Sequence, residues 1–257
     1  MRFGIIGGTG LYQVDDDAAK GERLTVNTHY GLVQVQRVGV GDSELVFIPR
    51  HGFEHSVPPH RVNYRGNIAA LKELGVTNIL ASAAVGSMAQ HLPPGSLALL
   101  SQFLDFTRGR PSTFFDGEDG AVVHVDVTEP YCPHLRGELL AAAGALGESV
   151  CAEATYVCAE GPRFETPAEI RMFRRLGGDL VGMTSVPEVV LAREAGICYA
   201  AVAIVTNWAA GVSMESVKHG EVTDFMYQHT PRLRALLARA VADHSELDCP
   251  CRSWAKS

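Results

Sequence analysis

No stretch of this chain of 257 residues approaches the ~20 consecutive apolar residues that a membrane-spanning helix requires. The apolar opening Phe3-Gly4-Ile5-Ile6 runs at once into glycines and is too short for the core of a secretory signal, so a cytoplasmic location with no cleaved segment is expected. The chain also has no Cys-x-x-Cys pair. Its cysteines, Cys132, Cys151, Cys158, Cys198, Cys249 and Cys251, lack the spacing of a secreted disulfide scaffold, which suits a reducing compartment. Positive charge is in deficit: 22 Lys and Arg stand against 29 Asp and Glu, for a formal net charge of −7. That argues against generic binding to nucleic acid or an anionic membrane, and leaves open a local basic pocket for one small anion. There is no internal repeat and no linker-like shift in composition, so residues 1–244 read as one domain and 245–257 as a tail.

What is present is globular. Hydrophobic residues make up 46% and charged residues 20%, in a chain long enough to bury roughly 70–75% of its unfolded surface without disulfides or a metal. Apolar β-rich runs at 2–6, 33–38, 45–48, 78–83, 96–100, 154–159, 180–183 and 198–205 alternate with helical patterns at 62–74, 133–146, 167–176, 186–195 and 223–244. This alternation marks an α/β fold with a mainly parallel, helix-flanked sheet. In the last helix Leu233, Leu236, Leu237, Ala240 and Val241 repeat at i, i+3, i+4, i+7 and i+8, which predicts one buried stripe. Only 107–130, rich in Gly, Asp and Pro, is long and irregular, and such loops are usually functional or disordered. The tail with Cys249-Pro250-Cys251 is expected on the surface. Two thiols one residue apart do not complete a tetrahedral zinc site, so free thiols or a strained local disulfide are favoured over a metal.

Several strand ends carry residues beyond what packing needs. Gly7-Gly8-Thr9-Gly10 follows the first strand, where bare amides and the Thr9 hydroxyl suit an anion; the alternative is a tight structural turn. As a dinucleotide fingerprint it fails, since the third glycine would fall at Gln13, and the Gly-Lys-Ser/Thr of a P-loop is missing. Arg50-His51 at the end of another strand suits phosphate, because a guanidinium grips oxyanions in pairs; a surface charge beside a core histidine is the plainer alternative. The letters His51, Glu54 and His55 also match the inverted zincin motif, a zinc hydrolase reading that needs a helix which Pro49, Gly52 and Pro58-Pro59 disfavour. Ala84-Val85-Gly86-Ser87 and Gly182-Met183-Thr184-Ser185 repeat the pattern of small or hydroxyl residues after a strand. Together these ends predict one pocket at the carboxyl edge of the sheet.

Six ordered segments carry a resemblance: Gly7-Gly8-Thr9-Gly10-Leu11, Arg50-His51-Gly52, Val62-Asn63-Tyr64-Arg65, Ala84-Val85-Gly86-Ser87, Glu160-Gly161-Pro162-Arg163-Phe164 and Met183-Thr184-Ser185-Val186-Pro187-Glu188. They resemble the trimeric purine nucleoside phosphorylase and methylthioadenosine phosphorylase family, over nearly the whole chain from 2 to 241. The resemblance implies a single α/β domain around a central mixed, partly barrel-like β-sheet flanked by helices. It implies reversible phosphorolysis of a purine nucleoside in purine salvage, with inorganic phosphate as co-substrate, no cofactor and no metal. Phosphate would be held by Thr9, Arg50, His51, Ala84 and Thr184, the ribose by Met183 and the base by Phe164. Ala83 departs from relatives that place a second hydroxyl there. His124, in the long loop, matches the position that crosses into a neighbouring subunit's pocket, so a homotrimer or a dimer of trimers is expected.

The side chains at Glu165 and Asn207 address which purine. A 6-oxopurine offers an N1–H donor and an O6 acceptor, whereas adenine offers the reverse. A carboxylate only accepts, and the Asn207 amide can donate to O6 while accepting from N7–H. The adenine-selective branch of the family carries an aspartate and a small hydroxyl residue at these positions, so both point to inosine and guanosine. Glu165, Asn207 and His51 are the expected catalytic residues. His219 resembles the histidine that reaches a ribose 5′-hydroxyl, although the preceding segment aligns less well. A methylthioinosine or methylthioadenosine phosphorylase, with an apolar 5′ pocket, is the closest rival; a zinc hydrolase and a non-catalytic nucleoside binder are more remote.

Overall fold

The computed structural model describes residues 2–7, 21–40, 43–118, 120, 122–213, 219–246 and 248–252. Along them run β1 (Arg2–Gly7), β2 (Glu22–Thr28), β3 (Gly31–Val40), β4 (Ser43–Pro49), α1 (Tyr64–Glu73), β5 (Asn78–Ser87), β6 (Leu97–Phe106) and α2 (Pro133–Leu146). The second half continues with β7 (Val150–Ala159), α3 (Pro167–Arg175), β8 (Leu180–Gly182), α4 (Ser185–Glu194), β9 (Cys198–Trp208) and α5 (His219–Ala242). The strands lie in the order β2-β3-β4-β1-β5-β8-β7-β6-β9, and β9 also pairs with β5. Strands β5, β8, β7, β6 and β9 therefore close into a barrel, from which β1, β4, β3 and β2 extend as an open sheet.

Strand β1 runs parallel to β4 and β5, β5 to β9, and β7 to β6 and β8. The hairpin β2–β3 and the pairs β3–β4, β5–β8 and β6–β9 are antiparallel. The mainly parallel sheet read from the alternation of elements is thus corrected to a mixed one, as the family resemblance implied. Strand β2 has no counterpart among the expected strands, because it lies at the open edge and leaves most of its residues in contact with solvent. Its polar sequence consequently lacks the apolar signal of a core strand.

Two cores sandwich the sheet. Ile79, Ala81, Ala203 and Val205 face α1 and α4, which add Ile68, Leu71, Val189 and Leu191. Their neighbours Leu80, Val202 and Ile204 face α2 and α5, which add Leu135, Leu139, Leu233, Leu236 and Leu237. Strand side chains alternate between faces, so a strand covered on both sides reads as an unbroken apolar run. The stripe expected on α5 is buried throughout, Ala240 and Val241 included.

Local chemistry sets the helix ends. Helix α1 starts later than residue 62 because the Asn63 side chain accepts from the Gly66 N–H at 3.0 Å and caps it. Helix α2 starts on Pro133 and stops at Gly147, which takes the left-handed conformation that glycine adopts without a Cβ penalty. Helix α3 opens with a capping box, Glu169 N–H donating to Thr166 Oγ1 and Thr166 N–H to Glu169 Oε2. The described part of the tail is exposed at 245, 246, 248 and 250, as expected of a surface extension, but its two cysteines are not. Cys249 and Cys251 are 3% and 5% exposed and belong to the core beneath α2 and α5, since cysteine packs as a small apolar residue. No helix among the described residues is long and apolar enough to cross a membrane.

Candidate active site

Where strands run parallel, their carboxyl ends open towards a crevice bounded by loops and helix N-termini. Here the ends of β4, β5, β8 and β9 and the segment after β7 enclose a cavity of about 420 Å³. Strand β5 shifts register against β9 between Val85 and Gly86, which sets Gly86 opposite Asn207. Arg50 and His51 follow β4, Ala84 sits on β5, Phe164 and Glu165 follow β7, Met183 and Thr184 follow β8, and Asn207 lies near the end of β9. All eight line the cavity, as expected from the sequence.

One end is built around a buried cation. The Arg50 guanidinium donates from Nε to Glu188 Oε2 at 2.8 Å, from Nη2 to Glu188 Oε1 at 2.7 Å, and from Nη1 to the Ser82 carbonyl at 2.9 Å. Its side chain is 1% exposed and that of Glu188 fully buried. Burial opposes the charge, but the Glu188 carboxylate more than compensates and holds the guanidinium above its ordinary value. Tyr199 Oη donates to Glu188 Oε1 at 2.7 Å and completes the set. An arginine has five N–H groups, so these bonds leave two. His51 Nδ1 lies 2.8 Å from the Val57 carbonyl; because a carbonyl only accepts, Nδ1 is the protonated nitrogen of this contact. Thr184 precedes α4, its N–H donating to Tyr156 Oη at 3.0 Å, and its hydroxyl makes no cap to that helix. A guanidinium, an imidazole, a hydroxyl and a helix N-terminus at one wall suit an oxyanion.

The other end is polar but less completely paired. Glu165 Oε1 is buried and has no hydrogen-bond partner. Burial pushes the Glu165 carboxyl above its ordinary value; the Glu169 charge adds to this, and a bond to its own backbone amide and the Arg163 charge only partly offset it. Asn207 is fixed at both of its atoms. Its Nδ2 donates to the Trp208 carbonyl at 2.8 Å, and its Oδ1 accepts from Thr206 Oγ1 at 2.8 Å. One N–H and one acceptor site remain on that amide. Phe164 is 40% exposed and forms an aromatic wall at the mouth. Gly161, at φ +66°, gives Met183 its place, because a Cβ there would come within 2.5 Å of Met183 Sδ.

Other expected positions fall elsewhere. Thr9 and the side chain of His219 lie outside the described residues. His124 is exposed and does not line the cavity of its own chain. The zinc hydrolase reading fails on geometry: residues 51–55 form turns rather than a helix, and Glu54 lines a separate surface pocket while His51 and His55 face the cavity. Sequence reasoning missed Arg110. Its Nη1 donates to the Met183 and Val186 carbonyls at 2.8 and 2.9 Å and its Nη2 to the Glu160 carbonyl at 2.7 Å, tying the long loop to two cavity walls. Glu194 fixes the same loop by accepting from Thr113 Oγ1 and Phe114 N–H, both at 2.7 Å. The only sequence signal for these ties was the unusual length of 107–130. Glu188 stood within a quoted motif, but its partner Arg50 is 138 residues away and no spacing rule links them.

Residues 2–242 match the model of the Phosphorylase superfamily. The chain is 49% identical to the 6-oxopurine nucleoside phosphorylase of Pyrococcus furiosus, over 99% of this chain and 98% of that protein. It is 50% identical to a protein of Methanopyrus kandleri named "Probable S-methyl-5'-thioinosine phosphorylase", over 96% of this chain and 95% of that one. Among solved structures, the methylthioadenosine phosphorylase of Schistosoma mansoni in complex with adenine superposes with a TM-score of 0.88 at 38% identity, covering 94% of this chain and 91% of that one. A match that spans the barrel, its extended sheet and every wall of the cavity has one meaning for its ancestry: this chain belongs to the Phosphorylase superfamily.

Proposed function

We propose that the protein is a purine nucleoside phosphorylase that cleaves 6-oxopurine nucleosides, inosine and guanosine, with inorganic phosphate to give the free base and ribose-1-phosphate. The observation that carries this reading is the buried, unpartnered Glu165 Oε1 in a cavity that also holds Asn207. A buried acceptor without a donor is costly, and the N1–H of hypoxanthine or guanine supplies one, whereas adenine presents a lone pair there. Asn207 keeps an N–H for O6 and an acceptor site for N7–H.

The chemistry follows from charge. As the glycosidic bond lengthens, positive charge grows at C1′ and negative charge on the purine. Phosphate at the Arg50, His51, Ala84 and Thr184 end attacks C1′ from below as the C1′–N9 bond breaks; the departing purine takes a proton from water at N7, where Asn207 Oδ1 accepts from the new N7–H while its amide N–H donates to O6. Both termini are fixed before the reaction, so positioning contributes much of the rate, and no residue of the chain acts as a covalent nucleophile. Phosphate is a co-substrate, and the proposal includes no cofactor.

A second reading keeps the base and changes the sugar. Val57, Pro58 and Pro59 give the cavity an apolar stretch beside His55 and Ser56, which suits a 5′-methylthio group as in an S-methyl-5′-thioinosine phosphorylase. We further propose a cytoplasmic homotrimer, or a dimer of such trimers. His124, exposed and away from its own cavity, is available to a neighbour, and exposed Phe164, Met172 and Leu176 offer apolar surface for a subunit contact. The deciding experiment measures phosphate-dependent base release from inosine, guanosine, adenosine and their 5′-methylthio analogues side by side. Inosine and guanosine should lead, and base release that is independent of phosphate, or a preference for adenosine, would overturn the proposal.

A further inference from the structure

Far from the cavity in sequence and role, the fold gathers four sulfurs. Cys132 stands immediately before α2, Cys198 opens β9, and Cys249 and Cys251 flank the turn in the tail. Each is buried, at 1%, 1%, 3% and 5% exposure. Their Sγ atoms all lie within 4.8 Å of one another, and Cys132 and Cys249 are 3.6 Å apart. Two thiols in a Cys-x-Cys run cannot close a tetrahedron; here folding supplies the other two from segments over fifty residues upstream. We propose that Cys132, Cys198, Cys249 and Cys251 form a structural four-thiolate site for a soft divalent ion, zinc by preference, which fastens the C-terminal tail to the core. This inference does not depend on the proposed phosphorolysis.

The spacing suits an ion. A tetrahedral zinc site with Zn–S bonds of about 2.3 Å has sulfur–sulfur edges of about 3.8 Å, so each edge of the cluster needs to change by no more than about 1 Å. A disulfide would serve the sulfurs only in pairs, and one closed across Cys249-Pro250-Cys251 would be strained. Without an ion the Cys132 and Cys198 thiols stay neutral, held above their ordinary value by hydrogen bonds within the sulfur cluster and by burial, so an ion must displace their protons. Cys132 lies at the N-terminal, positive end of α2, where the helix dipole favours a negative ligand atom. The Arg193 charge acts on Cys251, and Arg252 follows it in the chain. These offset the net negative charge that four thiolates leave around a divalent ion.

A second metal-like set nearby is already spent. His244 Nδ1 pairs with Glu138 Oε2 at 2.6 Å, and His134 Nε2 lies 3.1 Å from the Ser245 carbonyl. The four-sulfur site sits at the amino end of β9, whereas Asn207 lies near the opposite end of that strand. Its ion therefore acts on the scaffold, and binding it releases the remaining thiol protons.

The test is metal analysis of the intact chain purified under reducing conditions without chelator. The expected result is about one zinc per chain. Cobalt taken up in place of zinc should give thiolate-to-metal charge-transfer absorption and the visible bands of a tetrahedral site. The double variant Cys249→Ser/Cys251→Ser should lose the ion and these bands and melt lower by about 5 °C or more, with kcat/KM for inosine unchanged at room temperature. His134→Ala should keep the ion. A wild type that holds no zinc and takes up no cobalt, or whose unreduced mass shows the cysteines joined as disulfides, would overturn the proposal; so would a double variant that retains the ion. Should the double variant not fold, the cobalt titration of wild type decides the matter alone.

Discussion

The two ends of the cavity obey opposite rules. At the anion end, Arg50, Glu188, Tyr199 and the Ser82 carbonyl satisfy one another within the protein. At the base end, a buried carboxylate oxygen has no protein partner. The first arrangement holds a cationic cradle rigid before any ligand arrives. The second leaves a polar group whose partner must come from outside. Substitutions should separate accordingly, with losses of fold at one end and changes of substrate at the other.

The largest expected effect is at the base end. Asn207→Asp combined with Glu165→Ser should reverse base preference, because the variant can accept from the 6-amino group of adenine and no longer sets a carboxylate against its N1. Sites built around a substrate hydrogen bond reject the mispaired analogue by factors on the order of 10⁴, so the inosine-to-adenosine ratio of kcat/KM should fall steeply. Asn207→Asp alone should go less far, since Glu165 remains. The structure adds a complication: the Asn207 N–H donated to the Trp208 carbonyl is lost, and an ionised oxygen there faces another acceptor. The introduced carboxylate should therefore hold a proton more tightly than usual. A two-by-two set of kinetics in both substrates checks this, and full retention of inosine preference would remove these residues from base reading.

Next comes the anion end. Arg50→Ala leaves the Glu188 carboxylate buried without its cation, and breaking such a pair costs about 3–5 kcal/mol. The variant should melt far below wild type, and loss of phosphate use in it would not by itself identify a phosphate ligand. Replacing both partners, as in Arg50→Met/Glu188→Leu, should recover much of the stability while activity stays lost. Denaturant unfolding of the three proteins separates the roles. If Arg50→Ala melts like wild type and only its apparent phosphate constant rises, the guanidinium is a clamp first and a structural ion second.

This contrast also explains what the sequence revealed. Short-range signals were legible: glycines and hydroxyls after strands, and the stripe on α5. Arg50, His51, Ala84, Met183 and Thr184 were legible because strand ends recur at fixed places in an α/β chain, whereas Phe164, Glu165 and Asn207 became legible through the family resemblance. Pairings across long sequence separations were not. Arg50 with Glu188, Arg110 with the Met183 carbonyl, and Cys132 with Cys249 come together only in the assembled fold, which no local pattern encodes. Strand β2 was hidden for the opposite reason: at a solvent-facing edge it needs little apolar sequence.

A smaller effect is expected between the two ends. Arg110→Met keeps the aliphatic packing and removes the donors that hold the Met183, Val186 and Glu160 carbonyls. Loss of charged hydrogen bonds to buried acceptors should cost about 1–3 kcal/mol in unfolding free energy. The apparent nucleoside constant should rise more than the phosphate constant, because Met183 and the segment after β7 line the nucleoside side. Equal changes in both constants would show instead that the loop supports the cavity as a whole.

The smallest effect concerns protons at Glu165. Its carboxyl sits above the ordinary value because it is buried. A raised carboxyl contributes stability that is fully present below its unfolded-state value and is lost as pH rises through the raised one, so above that value Glu165 adds nothing to the stability of the empty enzyme. Glu165→Gln should therefore leave the melting temperature at neutral pH unchanged or slightly higher, the reverse of Arg50→Ala. For catalysis the ionised form is required as acceptor, so kcat/KM for inosine should fall as pH drops through the raised value. That acid limb should vanish in Glu165→Gln, whose amide has no proton to gain in this range, although its overall rate is lower. Binding of hypoxanthine gives Oε1 its donor and favours the ionised form, so in mildly acidic buffer complex formation should release protons, measurable as a buffer-dependent enthalpy. A wild-type binding enthalpy that is independent of buffer, together with an acid limb that survives Glu165→Gln, would show that another group titrates and that the Glu165 oxygen is not the acceptor for N1–H.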